Sequence, residues 1–221
     1  MSKWNRVVKL IGSGQSVNIA HTKVSPGLSN SELETMGNII QNSKKWLYLA
    51  WIQSASWTTL ANTAAQKAFL SNNLSSGSRK IIQAAIVKTF NGINTAHDVK
   101  LTEDDHAKGG NYVNIKNNNK GHNVIDMETG QPRVIGQIHV SREKVKNRAD
   151  YAMFTYIHEA THRYAGTTDY GDTGYIWLTK YLDSGEVGFR ARGLTPAQAL
   201  TNADSYALFI DIICRSSGLF A

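Results

Sequence analysis

Residues 151–171 read YAMFTYIHEATHRYAGTTDYG, and how this stretch is parsed decides the fold. Its apolar start, with Ala152, Met153, Phe154 and Ile157 turned inward, predicts a buried helix on which His158 and His162 stand four residues apart. Residues at i and i+4 share a helix face, so both imidazoles reach one ion while Glu159 projects beside them toward a metal-bound water. Zinc suits that set: it takes nitrogen and carboxylate ligands tetrahedrally, keeps a position for water and lowers the pKa of that water toward about 7. Seven His and seven Glu in 221 residues predict about 0.007 chance matches to His-Glu-x-x-His, so coincidence is a weak account. The structural alternative is a pair of core histidines bonded to backbone carbonyls or a carboxylate. Gly166 follows the helix and can reverse the chain, bringing Asp169 to where an oxygen ligand completes a two-His, one-carboxylate site.

His158-Glu159-Ala160-Thr161-His162 followed by Gly166-Thr167-Thr168-Asp169 resembles the signature of the deuterolysin, or aspzincin, zinc metalloendopeptidases, a family that includes peptidyl-Lys metalloendopeptidases. The resemblance implies His158, His162 and Asp169 as zinc ligands and Glu159 as general base. Downstream, Asn202-Ala203-Asp204-Ser205-Tyr206 is similar to a stretch on a late helix of the same family. There the resemblance implies that Asp204 lines the pocket beside the scissile bond, favouring a basic residue after it. Lysine-specific members add a glutamate three residues later, where this chain has Ala207, so that preference rests on one carboxylate, and a surface aspartate is the alternative. The family also places an oxyanion-stabilising tyrosine where Asp172 stands here. Tyr175 or Tyr170 takes that role if the loop length differs, with Tyr175 preferred because Gly174 lets the backbone turn. The resemblance spans roughly Gly136 to Phe209.

Outward from this core, Thr195-Pro196 offers an N-cap and first-turn proline for a late helix with Leu200, Ala203, Ala207 and Ile210 on its apolar face. Upstream, Val134 to Val140 reads as one strand, and Tyr112–Ile115 and Asn123–Asp126 as edge strands or hairpins in an Asn- and Gly-rich region. Asn30 to about Trp57 reads as a helix capped by Asn30, with Leu33, Met36, Ile39, Ile40, Leu47 and Trp51 inside. Helical character continues over Thr59–Leu74, Ser75–Ser78 reads as a loop, and Arg79–Phe90 as a further helix. Gly12-Ser13-Gly14 lacks the remainder of a phosphate loop and reads as a turn.

Composition agrees with one soluble domain. The chain is 41% hydrophobic and 19% charged, and no stretch approaches the ~20 apolar residues of a membrane span. A single cysteine, Cys214, excludes an intramolecular disulfide and a thiolate metal cluster, and its isoleucine neighbours predict a buried thiol. The net charge of +7 is scattered rather than gathered in a stripe, which disfavours nucleic acid as the partner. The start, MSKWNRVVKLIGSGQS, has no apolar h-region of a secretory signal. Synthesis in the cytoplasm, with export by a leaderless or machine-dependent route, is therefore the expectation. A protease made that way suggests a toxin or effector held silent by a cognate inhibitor or immunity protein, with a housekeeping peptidase of narrow specificity as the alternative.

The sequence thus predicts an α+β, mostly helical, zincin-like metalloprotease domain with a small irregular β-sheet. It is read as one unit over 1–221: an N-terminal extension (1–30), a helical and irregular scaffold (30–130) and a catalytic core (131–221). The expected activity is Zn2+-dependent hydrolysis of a protein or peptide substrate. The alternatives are a catalytically silent zinc-dependent binding module and a basic nucleic-acid-binding protein with structural histidines.

Overall fold

Helix starts in the scaffold are set by hydroxyls. Ser29, Thr58, Ser75 and Ser141 each accept a hydrogen bond from the amide three residues on, opening α1 (Asn30–Ala55), α2 (Thr59–Ala68), α3 (Ser76–Ile93) and α4 (Arg142–Asn147). At Ser29 the reciprocal bond is also made, because its own amide donates to Glu32 Oε2 at 2.6 Å. The cap of α1 is therefore Ser29 rather than Asn30, and the serine cluster expected as a loop is the start of α3. The computed structural model describes residues 4–9, 16–21, 28–95, 97–102 and 121–218, the first two ranges as backbone. Gly12–Gly14 and Tyr112–Ile115 lie outside them.

Two helices end earlier than expected, each where the backbone turns left-handed. Trp57 (φ 46°) follows the end of α1 and Leu70 (φ 54°) follows the end of α2, so Leu70–Leu74 is not helical. Phe69, between α2 and that turn, is fully buried and meets Tyr206 edge-on at 5.2 Å.

Two strands lie within the N-terminal thirty residues. β1 (Trp4–Lys9) and β2 (Ser16–His21) pair antiparallel, and β2 runs parallel to β3 (Asp98–Thr102). The single strand expected over Val134–Val140 divides at Gly136-Gln137. β5 (Pro132–Ile135) forms an antiparallel hairpin with β4 (His122–Ile125), whereas β6 (Ile138–Ser141) joins β3 in parallel and closes the order β1-β2-β3-β6. The stretch expected as one strand thus serves two sheets.

α5 (Ala149–Ala165) crosses the centre of the molecule, packed against α1, α3, α4, β6 and the last long helix, α8 (Ala203–Ser216). From Phe154 to Ala165 every residue of α5 is buried, while Met153, expected inside, is half-buried, as is Trp51 on α1. A buried ion pair between Arg142 and Glu32, with Lys146 Nζ at 3.3 Å, ties the start of α1 to α4 across 110 residues. Burial opposes the charge on Glu32, but Arg142, the Ser29 cap and Lys146 hold its carboxyl down at about 2. Cys214 is buried and free, as expected. No helix among the described residues is long and apolar enough to cross a membrane.

The late helix is interrupted. Thr195 caps a single turn, α7 (Pro196–Ala199), and the chain leaves helical geometry before α8 starts. The reason is a backbone exchange with the loop after α5: the Thr168 amide donates to the Thr201 carbonyl at 2.8 Å, and the Ala203 amide to the Thr168 carbonyl at 3.0 Å. That exchange sets the start of α8 beside the end of α5. Between the two lie a single 3₁₀ turn, Gly171–Thr173, and the short helix α6 (Leu178–Ser184).

Candidate active site

Gly166 ends α5 in the left-handed conformation (φ 83°), its amide returning to the Thr161 carbonyl at 3.0 Å. A Cβ there would stand 2.0 Å from the carbonyl oxygen of Ile125 on β4, so both the conformation and the space require glycine. The hairpin grips the turn from outside: the Met127 amide donates to the Gly166 carbonyl at 2.8 Å, and Arg133 Nη2 donates to the Thr167 carbonyl. The Thr161 and Thr167 hydroxyls close it from within at 2.8 Å.

Held this way, the chain returns Asp169 to the two histidines of α5. His158 Nε2 and His162 Nε2 are 3.0 Å apart, and Asp169 Oδ1 lies 3.4 Å from the first and 3.2 Å from the second. His158, Glu159 and His162 form a group able to hold a metal ion, all three buried, with Glu159 Oε1 3.9 Å from His158 Nε2.

The far side of each imidazole decides what faces inward. His158 Nδ1 meets Asp204 Oδ1 at 2.6 Å, and His162 Nδ1 meets the Thr167 carbonyl at 2.7 Å. Both partners accept only, so each Nδ1 donates, and in the neutral tautomer this leaves, each ring turns the lone pair of Nε2 to the centre. Asp169 Oδ1, buried, has no hydrogen-bond partner. Three lone-pair atoms converging at 3.0–3.4 Å repel unless a cation lies between them. Ligands about 2.0 Å from a tetrahedral zinc are about 3.3 Å from one another, so the spacing fits the ion.

The field agrees. Burial works against a charged His158, yet Asp169, Asp204 and Glu159 together raise its pKa to about 10, so at neutral pH its Nε2 holds a proton unless a metal cation takes that place. Asp169 is half-buried, and although that opposes its charge, His158, His162 and Tyr175 hold its carboxyl well below the usual range. Three carboxylates around two imidazoles make a pocket that favours positive charge.

The other expected site residues are placed as follows. Tyr175 stacks on the His158 ring, centroids 6.2 Å apart, and its phenol is raised by burial and by the Asp169 carboxylate it contacts. Tyr170 points elsewhere, its hydroxyl 2.8 Å from Thr201 Oγ1. Asp172 is exposed on the 3₁₀ turn. Gly174 serves space rather than turning: its φ is −96°, ordinary for any residue, but a Cβ would meet Asn202 Oδ1 at 2.5 Å. Asp204 stands behind His158, its second oxygen accepting from the Ile176 amide at 2.8 Å. Each of its oxygens thus has one donor within the fold, His158 Nδ1 on one and the Ile176 amide on the other.

Sequence reasoning overlooked Arg133 and the Thr167 carbonyl, which act on His162 in turn, and Asn202, whose amide holds the Gly174 carbonyl at 2.8 Å. None has a local signal, except that Asn202 and Thr167 lie in the two stretches that carried the resemblance.

No family model matches the chain, and no curated protein matches it. Among solved structures it is similar to one described as a zinc peptidase from Grifola frondosa, with a TM-score of 0.52 and 15% sequence identity. The match covers 83% of this chain and 96% of that one. At that identity the likeness establishes the fold: this is a mostly helical α+β chain with the fold of a zinc peptidase.

Proposed function

We propose that this chain is a zinc metalloendopeptidase of the aspzincin type, with His158, His162 and Asp169 holding the metal and Glu159 as general base. The observation that supports it most is the convergence of three lone-pair atoms at 3.0–3.4 Å, one of them the orphaned Asp169 Oδ1, with a buried glutamate beside them. Zinc bound there supplies Lewis acidity toward the scissile carbonyl and its attacking water. Asp204 and Thr167 keep the two imidazoles in the right tautomer and orientation. Glu159, buried beside the two histidines, takes the proton from the water and returns it to the leaving amine. Tyr175, beside Asp169 and His158, is placed to donate a hydrogen bond to the developing oxyanion.

The test is hydrolysis of a denatured protein by the zinc-loaded chain, with and without chelation, beside Glu159→Gln. The expected result is cleavage that is lost on chelation, restored by zinc, and reduced at least about 10²-fold in a Glu159→Gln protein that still binds zinc. Zinc binding without cleavage leaves a silent binding module. A chain that binds no zinc removes the proposal altogether.

A further inference from the structure

Beside the candidate metal site, residues 175–177 pair with 188–190 as a short two-stranded ribbon. The Arg190 amide donates to the Tyr175 carbonyl at 2.7 Å and the Trp177 amide to the Gly188 carbonyl at 3.0 Å, around an Ile176–Phe189 bridge. The ribbon makes a ladder that leads outward from the histidines. Tyr175 stacks on His158 at 6.2 Å, and the guanidinium carbon of Arg190 lies 5.4 Å from the Tyr175 ring centroid and 6.0 Å from that of Trp177. Arg190 is exposed, as is Trp177 at 53%.

Arg190 is fixed at one end and open at the other. Its Nε donates to the Ile176 carbonyl at 3.2 Å, which orients the guanidinium plane, and among the described residues neither terminal nitrogen has an ion-pair partner. The nearby carboxylates are committed or turned away: Glu186 pairs with Lys180 at 2.7 Å, Asp204 is held by His158 and the Ile176 amide, and Asp172 reaches the ribbon only through its carbonyl. A guanidinium fork whose carbon lies over two aromatic rings is matched to a carboxylate. By the two ring separations, 6.2 and 5.4 Å, it lies no more than about 12 Å from the His158 imidazole. An extended peptide advances about 3.3 Å per residue, so a glutamate about two residues from the scissile bond reaches the fork.

We infer that Arg190, on the Tyr175–Trp177 platform, is a specificity-determining residue that selects peptides carrying a carboxylate near the scissile bond. This rests on the peptidase reading above and replaces the basic preference expected from Asp204. The carboxylate can come from a Glu or Asp side chain or from a peptide C-terminus, and the experiment separates them.

Zinc-loaded Glu159→Gln protein, alone and with Arg190→Gln or Arg190→Glu, is titrated with pools of ten-residue peptides. One pool carries Glu at each position in turn, a second carries Gln, a third carries Lys, and each is made with a free and an amidated C-terminus. The expected preference for Glu over Gln is about five- to tenfold, falling to about one in Arg190→Gln and reversing toward Lys in Arg190→Glu. A preference that follows the free C-terminus instead gives the same fork the chain end as its ligand. Equal binding of all pools, unmoved by either substitution, overturns the inference. Hydrolysis by the wild type, followed in parallel, judges the peptidase reading separately. Cleavage with flat binding ratios removes only the Arg190 subsite, and intact ratios without cleavage remove only the peptidase.

Discussion

Replacing Gly166 with alanine tests whether the turn after α5 is the part on which the metal site depends. The added Cβ would sit 2.0 Å from the Ile125 carbonyl oxygen and 2.9 Å from its carbon, both backbone atoms in a paired strand. Relief requires turn and hairpin to part by about 1 Å or more, which carries the 2.8 Å bond from Met127 to Gly166 beyond useful length. Losing that bond costs about 1 kcal/mol, and holding alanine at a φ of 83° costs about 1–2 kcal/mol more. A total of roughly 2–3 kcal/mol corresponds to a fall of about 5–10 °C in the thermal midpoint for a chain of this size. Because Thr167 and Asp169 leave from the same turn, zinc affinity should fall with it, by about tenfold or more. Thermal unfolding of the zinc-free protein gives the first quantity, and competition with a chelator of known affinity gives the second. A Gly166→Ala protein with the wild-type midpoint and zinc affinity would refute the account of the turn. A lower midpoint with unchanged zinc affinity would refute its coupling to the metal site.

Two further outcomes are expected. Two donors, His158 Nδ1 and the Ile176 amide, converge on Asp204, and an asparagine offers them only one acceptor; Asp204→Asn should therefore weaken zinc binding about 10–100-fold, read by the same competition. Glu32, held near 2 and so depressed from its ordinary value, stabilises the fold fully above about pH 4.5, and that contribution is lost as the pH falls toward 2. Glu32→Gln leaves Arg142 buried without its counter-charge, so it should cost about 3 kcal/mol at pH 7 by denaturant unfolding and flatten the stability profile between pH 5 and 2.

What was legible in the chain was what is local. His158, Glu159 and His162 declare themselves by helical spacing alone, and Gly166 by its place after the last apolar turn. The Ser29 and Ser75 caps were open to the same reading, but the neighbouring Asn30 and the serine cluster around Gly77 competed for it. The division of Val134–Val140 could not be read in the same way, because hydrophobic pattern records burial and not which strand is the partner. His158 and Asp204 are 46 residues apart in sequence, and Arg133 is 34 from the carbonyl it meets. Such contacts follow from the packing of α5 against α8 and the β4–β5 hairpin, for which no single segment carries a signal.

That division between local and distant also explains how the site is built. On the proposed reading α5 alone supplies two ligands and the base, but a helix cannot fix the rotation of its own imidazoles or reach the proposed third ligand. The missing constraints come from two other elements. α8 places Asp204 behind His158, and the break before α8 receives the loop that carries Asp169. The hairpin places Arg133 and Met127 on that same loop from the opposite side. The Thr168–Ala203 exchange joins the two supports, so the interruption between α7 and α8 is a working part of the centre rather than a flaw in a long helix. Continuous helix through Leu200–Asn202 would satisfy the local propensity of Thr195–Ile210, but it would remove the carbonyl and amide that seat Thr168. Asp169, one residue further on, would then lose the backbone anchor next to it that helps to hold it 3.2–3.4 Å from the two histidines.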